Sequence, residues 1–236
     1  MAAGLPALGM ERRPTELRLL QAAASVGQGR LVASWQTAMS AYGTVAAQVL
    51  LTAQDVAVRS HYRTVRATFD ALLTMGAVPV VNENDAVATS EFSLGDNDRL
   101  AALVSHLVTA DVLVLLTDVD GVWTARPGTP GARPLRYVAG GADLAGVDVS
   151  DRGSALGTGG MRIACACGTA TLIARADDAV PLLGGSALPD DLGTWLAPTG
   201  PHRPSRRLWM AYASVPEGRL LVDAGAARAL TVGKKS

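Results

Sequence analysis

The segment Val112 to Gly121, VLVLLTDVDG, places five consecutive apolar residues directly before a cluster of polar ones. A short apolar run bounded by turn residues is typical of a strand that is buried in a parallel sheet. Similar runs occur at Val45 to Leu51 and at Val78 to Val81. Because segments of helical periodicity separate these runs, the sequence predicts an α/β fold with a mainly parallel sheet covered by helices on both faces.

Helical periodicity predicts three helices around these strands. The first spans Pro14 to Tyr42, with Pro14 in its first turn, and the second is expected to end at Gly76. Within the first helix, the small residues of Gln21 to Gln28 would allow another element to approach closely. The predicted apolar stripes are, in chain order, Leu31, Trp35, Ala38 and Tyr42; Tyr62, Val65, Phe69, Leu72 and Leu73; and Leu100, Leu103, Val104 and Leu107.

The composition excludes several classes of partner. Lys+Arg and Asp+Glu are 21 each, so the chain lacks the excess positive charge of a nucleic-acid or anionic-membrane binder. The run Val112 to Leu116 is too short to cross a bilayer, and Met1 to Pro6 lacks the pattern of a secretory signal. These features predict a cytoplasmic protein, in which Cys165 and Cys167 are reduced thiols and hold no metal.

Two compact clusters of acids and amides stand out, Asn82 to Asp85 (NEND) and Gly95 to Asp98 (GDND). Asparagine offers donors and acceptors that suit the carboxylates of an amino acid. Aspartate suits an ammonium group, or a magnesium ion that is shared with phosphate. The first cluster follows a predicted strand, and ligands of parallel sheets bind beyond the carboxyl ends of strands. The alternative is that both clusters are ordinary turns.

Two further loops are candidates for binding phosphate. Thr117 to Gly121 follows the most apolar strand, and Gly157 to Met161 (GTGGM) opens a predicted helix whose backbone N–H groups suit a phosphate. The alternatives are a tight turn in which Gly121 has a positive φ and a flexible glycine loop. No Gly-Lys-Ser/Thr follows the glycines, so this is not a Walker loop.

Taken together, these motifs resemble the glutamate 5-kinases, which belong to the amino-acid kinase family and have a three-layer αβα fold. The resemblance covers about Met1 to Leu230, and the combination of NEND, GDND, LLTDVDG and GTGGM is specific. It implies transfer of the γ-phosphoryl group of ATP to the side-chain carboxylate of L-glutamate, the first step of proline biosynthesis, with Mg²⁺. It also implies a homo-oligomer without a membrane partner.

The resemblance assigns a role to each motif. Asp98 would be the catalytic residue that organises the charged groups around the transferring phosphoryl. The residues that would bind glutamate are Asp85, Asn97 and Asn84. The residues that would bind ATP are Thr117, Asp118, Thr158, Gly159, Gly160, Met161 and Arg162.

The sequence departs from the family pattern in its lysines. The opening strand, with a phosphate-contacting lysine and a substrate-binding serine, is expected to be missing, and a second lysine after GTGGM falls in an apparent deletion. Lys234 and Lys235 are the only lysines of the chain. Arg162 or Arg99 would have to supply the charge, and arginine does not replace lysine conservatively. This departure predicts little or no ATP-dependent formation of glutamyl phosphate.

The expected domain organisation is an amino-acid kinase domain over 1–197, a linker over 198–206 and an incomplete, β-rich PUA-like segment over 207–236. Three alternatives remain at this level. The first is another amino-acid kinase, such as an aspartate or acetylglutamate kinase, which the joint spacing of NEND and GDND disfavours. The second is a non-catalytic family member that binds a ligand or partner without turnover. The third is RNA binding through the PUA-like segment, which the neutral charge disfavours.

Overall fold

The computed structural model describes residues 2–52, 55, 58–87, 97–125, 128–139, 165–166, 168–178, 192–199 and 223–225. In chain order the helices are α1 (Gly4–Ala7), α2 (Leu17–Ser40), α3 (Arg59–Thr74) and α4 (Asn97–Leu107). The strands are β1 (Ala46–Leu51), β2 (Val78–Glu83), β3 (Val112–Thr117), β4 (Val122–Trp123), β5 (Pro134–Leu135), β6 (Tyr137–Val138), β7 (Ala170–Arg175) and β8 (Thr194–Leu196). A 3-10 helix follows β7 at Ala176–Asp178.

The first sheet is a parallel pair. Strands β1 and β2 pair from Ala46 opposite Val78 to Leu51 opposite Glu83, so their carboxyl ends lie at the same edge. Helix α2 packs on β1, and α3 packs on β2. The sequence predicted β1, β2 and the helix between them. That helix, α3, ends at Thr74, close to the predicted end at Gly76, which has a φ of 75°. The element order strand, helix, strand is therefore the one that the apolar periodicity indicated.

The second sheet has the order β3-β7-β8-β6. Strands β3 and β7 are parallel, β7 and β8 are antiparallel, and β6 and β8 are parallel. Strands β4 and β5 form a separate antiparallel pair after the end of β3. The predicted α/β class with parallel strand pairing is confirmed. None of the described helices is long and apolar enough to cross a membrane.

The prediction that the β3 strand is buried on both faces is wrong. Alternate residues Val112, Val114 and Leu116 are exposed, whereas Leu115 is buried. Because successive side chains of a strand point to opposite faces, this alternation means that one face of β3 packs in the core and the other does not. An unbroken apolar run carries no information about which of its faces a helix covers.

Among the described residues the core consists of two clusters that α4 connects. The first surrounds Phe69 and Leu103 and includes Leu51 and Leu107. The second surrounds Leu115 and Ile173, and its members come from β3, β4, β6, β7 and β8. Helix α4 contacts both β2 and β3, so burial of its apolar face fixes the start of the helix relative to the ends of both strands.

Helix α2 differs from its prediction in which face is buried. Its buried residues are Ala23, Ala24 and Gly27, whereas Trp35 of the predicted stripe is 44% exposed. Pro14 lies three residues before the first helical residue rather than in the first turn. The expected close approach at the small residues is observed, because α1 packs on α2 there.

The contact between α1 and α2 leads to a prediction about stability. A Cβ atom on Gly4 would overlap the backbone carbonyl oxygen of Ala23, which cannot move without bending α2. Gly4→Ala should therefore lower the free energy of unfolding by about 1–3 kcal/mol. The control is Gly29→Ala on α2, where a Cβ meets open space. This second change should raise the free energy of unfolding by about 0.5–1 kcal/mol, because alanine favours a helix. Urea denaturation measures both free energies of unfolding. Equal changes in the two variants would contradict the close packing of α1 on α2 at Gly4.

Candidate active site

Polar residues gather where β1 and β2 end. The backbone N–H of Asn84 donates to the carbonyl oxygen of Leu51 at 2.8 Å, so the chain that leaves β2 is held against the end of β1. Thr52 and Asp55 then bond to each other just after β1. The Thr52 backbone N–H and hydroxyl donate to the Asp55 carboxylate at 2.8 and 2.6 Å, and the Asp55 N–H donates back to the hydroxyl at 3.3 Å. These bonds hold the chain at the edge of the sheet where Asp85 follows β2.

A cavity of about 300 Å³ opens at this edge, and we call it the first cavity. Three segments supply its walls: helix α2, strand β1 and the end of β2 with the turn that follows. The predicted glutamate-binding residues Asn84 and Asp85 both belong to the wall, and both are half-buried. The lining residues are Ala24, Ser25, Gln28, Gly29, Gln48, Leu50, Glu83, Asn84, Asp85 and Ala86.

The wall that α2 contributes is tied to β2 by a pair of amides. Asn82 Nδ2 donates to Gln28 Oε1 at 2.8 Å, and the backbone N–H of Glu83 donates to Asn82 Oδ1 at 2.9 Å. Sequence reasoning assigned the Gln21-to-Gln28 segment to packing alone and missed Gln28 as a cavity residue. The only local signal was a long polar side chain among small ones, which is equally typical of a solvated helix position.

A smaller cavity, which we call the second cavity, lies at the end of β3. Its volume is about 60 Å³, and Asp98, Leu115, Leu116, Thr117 and Ile173 line it. Asp98 stands in the first turn of α4, where the helix dipole stabilises a negative charge. The predicted catalytic carboxylate and the predicted ATP-binding Thr117 are thus brought together by the packing of α4 on β3. The Thr117 hydroxyl donates to Asp118 Oδ1 at 3.0 Å.

The remaining predicted residues fall in three groups. Asn97 is exposed at the start of α4, and neither described cavity wall includes it. Asp118 is exposed next to the second cavity and is bonded to Thr117. The predicted ATP-binding residues of the glycine-rich segment, Thr158, Gly159, Gly160, Met161 and Arg162, lie outside the described residues.

The loop after β3 is held in place by Thr194, which the sequence analysis did not single out. The buried Thr194 hydroxyl accepts from the Val122 N–H at 2.8 Å and donates to the carbonyl oxygen of Leu135. Gly121 lies against the same side chain and has a φ of 134°, the positive φ of the alternative interpretation as a tight turn. A larger residue at this position would collide with Thr194. Thr194 therefore positions the turn that begins at Thr117.

This arrangement predicts a stability effect at Thr194. Thr194→Val keeps the shape of the side chain but leaves the Val122 N–H and the Leu135 carbonyl without their partner. The free energy of unfolding should fall by about 2–3 kcal/mol. Thr194→Ser keeps the hydroxyl and loses one methyl group, so its cost should be about 1 kcal/mol. Thermal and urea unfolding of the two variants provide the comparison, and a serine variant as unstable as the valine variant would contradict the role of the hydroxyl.

Of the two cysteines, Cys165 is among the described residues. It is a free thiol, as expected. Burial raises the pKa of this thiol, which lowers the fraction of thiolate at neutral pH. Because the thiolate is the reactive form, this environment lowers the reactivity of Cys165.

The sequence matches the family model described as the amino acid kinase family over residues 1–175. Among curated proteins, the chain is 50% identical over 244 residues to the glutamate 5-kinase of Streptomyces coelicolor, a match that covers 100% of this chain and 64% of that protein. It is 48% identical to the glutamate 5-kinase of Frankia casuarinae over 98% of this chain and 63% of that protein. The chain thus spans a little under two thirds of the length of these relatives.

A solved structure supports the same fold. The carbamate kinase of Giardia lamblia superposes with a TM-score of 0.52 at 16% sequence identity, covering 82% of this chain and 79% of that one. At this level of identity the similarity extends to the arrangement of helices and strands. It agrees with the parallel pairs β1–β2 and β3–β7 described above.

Proposed function

The chain belongs to the amino acid kinase family, and from this membership we propose that it acts as a glutamate 5-kinase, which transfers the γ-phosphoryl group of ATP to the side-chain carboxylate of L-glutamate. One observation carries the proposal. Asp85 and Asn84 line one cavity at the end of β2, and Asp98 and Thr117 line another at the end of β3. Helix α4 contacts both strands. The relatives of known name support glutamate as the acceptor.

Recognition of glutamate begins with its charged groups. In the proposed complex, the Asp85 carboxylate accepts hydrogen bonds from the substrate ammonium, and Asn84 provides an amide with both donors and acceptors. Asn97, at the exposed start of α4, completes the set of glutamate-binding residues that we propose. With the ammonium held at Asp85, the side-chain carboxylate extends toward the start of α4 and the second cavity.

The proposed chemistry needs no general base, because a glutamate side chain with a pKa of about 4.3 is already ionised at neutral pH. The barrier comes from bringing this anion against a polyphosphate. Catalysis therefore depends on position and on charge stabilisation. Thr117, Asp118 and the segment Thr158 to Arg162 are the residues that we propose for ATP. Asp98 is the catalytic residue and organises the groups around the transferring phosphoryl.

The residues present fit a magnesium ion that is held mainly by phosphate. In phosphoryl-transfer sites one or two carboxylates share Mg²⁺ with the phosphate oxygens. Among the described residues no group of three metal-ligating side chains is close enough to form a full cage. Asp98, half-buried in the wall of the second cavity, would hold the ion. When it is bound, Mg²⁺ neutralises the charge that develops on the phosphoryl oxygens.

The lysine content affects the expected rate. Lys234 and Lys235 are the only lysines in the chain, so the body of the fold offers the phosphates arginine side chains and backbone N–H groups instead. Loss of one well-placed charge at a transition state commonly lowers a rate by about 10²–10³-fold. We therefore propose turnover that is slower by this factor than that of family members with a lysine at the phosphates.

The extent of the catalytic domain is also a proposal. We place it at residues 1–197, because β8 (Thr194–Leu196) pairs with β7 and β6 in the second sheet, beyond the end of the family match. The linker at 198–206 and the PUA-like segment at 207–236 lie almost entirely outside the described residues and stay predictions. The same is true of a homo-oligomer and of a cytoplasmic location.

The proposed activity is tested by trapping its product. The chain is incubated with ATP, Mg²⁺, L-glutamate and hydroxylamine, which converts an acyl phosphate into a stable hydroxamate. We expect hydroxamate that depends on ATP, L-glutamate and Mg²⁺, and none with L-glutamine, which lacks the side-chain carboxylate. Binding of L-glutamate without hydroxamate formation, even in long incubations, would instead support a family member that binds its ligand without turnover.

A further inference from the structure

The orientation of the Gln28 side-chain amide follows from a chain of hydrogen bonds. The backbone N–H of Glu83 can only donate, so the Asn82 atom that faces it at 2.9 Å is the oxygen Oδ1. The Asn82 nitrogen Nδ2 then faces Gln28 and donates to Oε1 at 2.8 Å. The other end of the Gln28 amide is therefore the nitrogen Nε2, a donor. The Glu83 backbone N–H fixes this assignment of oxygen and nitrogen through Asn82.

The Gln28 Nε2 atom is buried, and it has no hydrogen-bond acceptor among the residues that the structure describes. Buried amide donors in native proteins almost always have a partner, because burial without one is costly. Gln28 lines the first cavity together with Asn84 and Asp85. Because Gln28 belongs to this wall, a ligand in the first cavity can supply the missing acceptor.

The charges of the cavity limit how an acceptor that carries a negative charge could be held there. Its described wall contains the acidic residues Glu83 and Asp85 and no lysine or arginine. The Ser25 hydroxyl already donates to the carbonyl oxygen of Gln21 at 2.9 Å. Among the described residues of this wall, the side-chain donors available to a carboxylate are neutral, and the Gln28 amide is one of them.

We infer that the Gln28 side-chain amide binds the α-carboxylate of the amino-acid substrate, with Asn82 holding the amide in position. The inference rests on the proposed function. If Asp85 binds the substrate ammonium, the α-carboxylate lies on the same carbon atom and therefore within the first cavity. The side-chain carboxylate, three carbons away, is directed to the second cavity. Gln28 thus selects for an amino acid with a free α-carboxylate.

Gln28→Glu separates this role from a structural one. Glutamate has the shape of glutamine and retains an oxygen that accepts from Asn82 Nδ2, but it replaces the donor with a negative charge. The matched control is Gln36→Glu on the same helix. Gln36 also accepts through Oε1, from the Ala46 N–H at 3.1 Å, and it is not part of the described cavity wall. Gln28→Met, which removes the donor without adding charge, is the second variant.

Binding of L-glutamate and of 4-aminobutyrate, which lacks the α-carboxylate, is measured by ligand-detected NMR titration on the full chain. We expect Gln28→Glu to weaken L-glutamate binding by about 10- to 100-fold. The same variant should bind 4-aminobutyrate within about twofold of the unsubstituted chain. Gln28→Met should weaken L-glutamate by about tenfold, and Gln36→Glu should have no effect.

The possible failures are distinguishable. If the unsubstituted chain does not bind L-glutamate, both the proposed function and this inference are overturned. If it binds L-glutamate and the two Gln28 variants bind it equally well, only the role of Gln28 is overturned. An equal loss for L-glutamate and 4-aminobutyrate would show that Gln28 supports the structure of the cavity instead of contacting the α-carboxylate. If Gln28→Glu does not fold, Gln28→Met decides between the same results.

Discussion

Replacing Asp98 with asparagine should lower the rate of glutamyl phosphate formation by about 10²–10³-fold and leave L-glutamate affinity within about twofold. The reason is the position of Asp98, which lines the second cavity with Thr117 and is absent from the wall of the first. Asparagine keeps the size of the side chain and removes its charge. The measurement is hydroxamate formation for the rate and NMR titration for the binding.

The control for this change is Asp111→Asn. Asp111 is exposed just before β3 and lines neither described cavity. It should show the rate of the unsubstituted chain. A rate for Asp98→Asn within about fivefold of the control would contradict a catalytic role, because removal of a transition-state charge has a larger effect. Weak L-glutamate binding in the Asp98 variant would show that Asp98 contributes to binding L-glutamate.

Replacing Asp85 with asparagine should weaken L-glutamate binding by about 100-fold while leaving ATP binding unchanged. Hydrogen bonds between charged groups are among the strongest in proteins, and loss of one such bond commonly costs about 1.5–3 kcal/mol. Asp85 is half-buried in the first cavity, where screening by water is reduced. Calorimetric titration with each ligand separately measures the two affinities.

Asp70→Asn is the matched control for Asp85. Asp70 is exposed on α3, forms a surface ion pair with Arg66 at 3.9 Å and lies in neither described cavity wall. Such surface pairs contribute little, so the control should bind both ligands normally and unfold within about 1 kcal/mol of the unsubstituted chain. If Asp85→Asn binds L-glutamate as well as Asp70→Asn does, the substrate ammonium is held elsewhere.

The elements that could be predicted are those whose signals are local, whereas β4 to β8 were not predicted. The apolar runs of β1, β2 and β3 and the stripes of α3 and α4 each lie within a window of a few turns, and the structure contains all five elements. The position of the Asn82-to-Asp85 cluster at the end of β2 followed from the same local reasoning, because ligands of parallel sheets bind beyond the carboxyl ends of strands. The roles of Asp85 and Asp98 came from the family resemblance and stay predictions.

What could not be predicted depends on contacts between distant segments. Gln28 bonds to Asn82 across 54 residues, and Thr194 bonds to Val122 across 72, so no local pattern marks either side chain. The buried face of α2 was also misjudged. Its stripe of large apolar residues has the right period, but the close packing of α1 requires small residues, and these form the buried face instead.

The most direct test of phosphoryl transfer to the glutamate side chain follows one oxygen atom of that carboxylate. L-glutamate with oxygen-18 in both side-chain carboxylate positions is incubated with the chain, ATP, Mg²⁺ and hydroxylamine. Attack of this carboxylate on the γ-phosphorus forms a carbon–oxygen–phosphorus link, and hydroxylamine then attacks the acyl carbon and releases phosphate that carries one labelled oxygen. Our account predicts labelled phosphate in the same amount as hydroxamate. Release of phosphate without label, at a rate independent of glutamate, would show hydrolysis of ATP by water and would contradict the account.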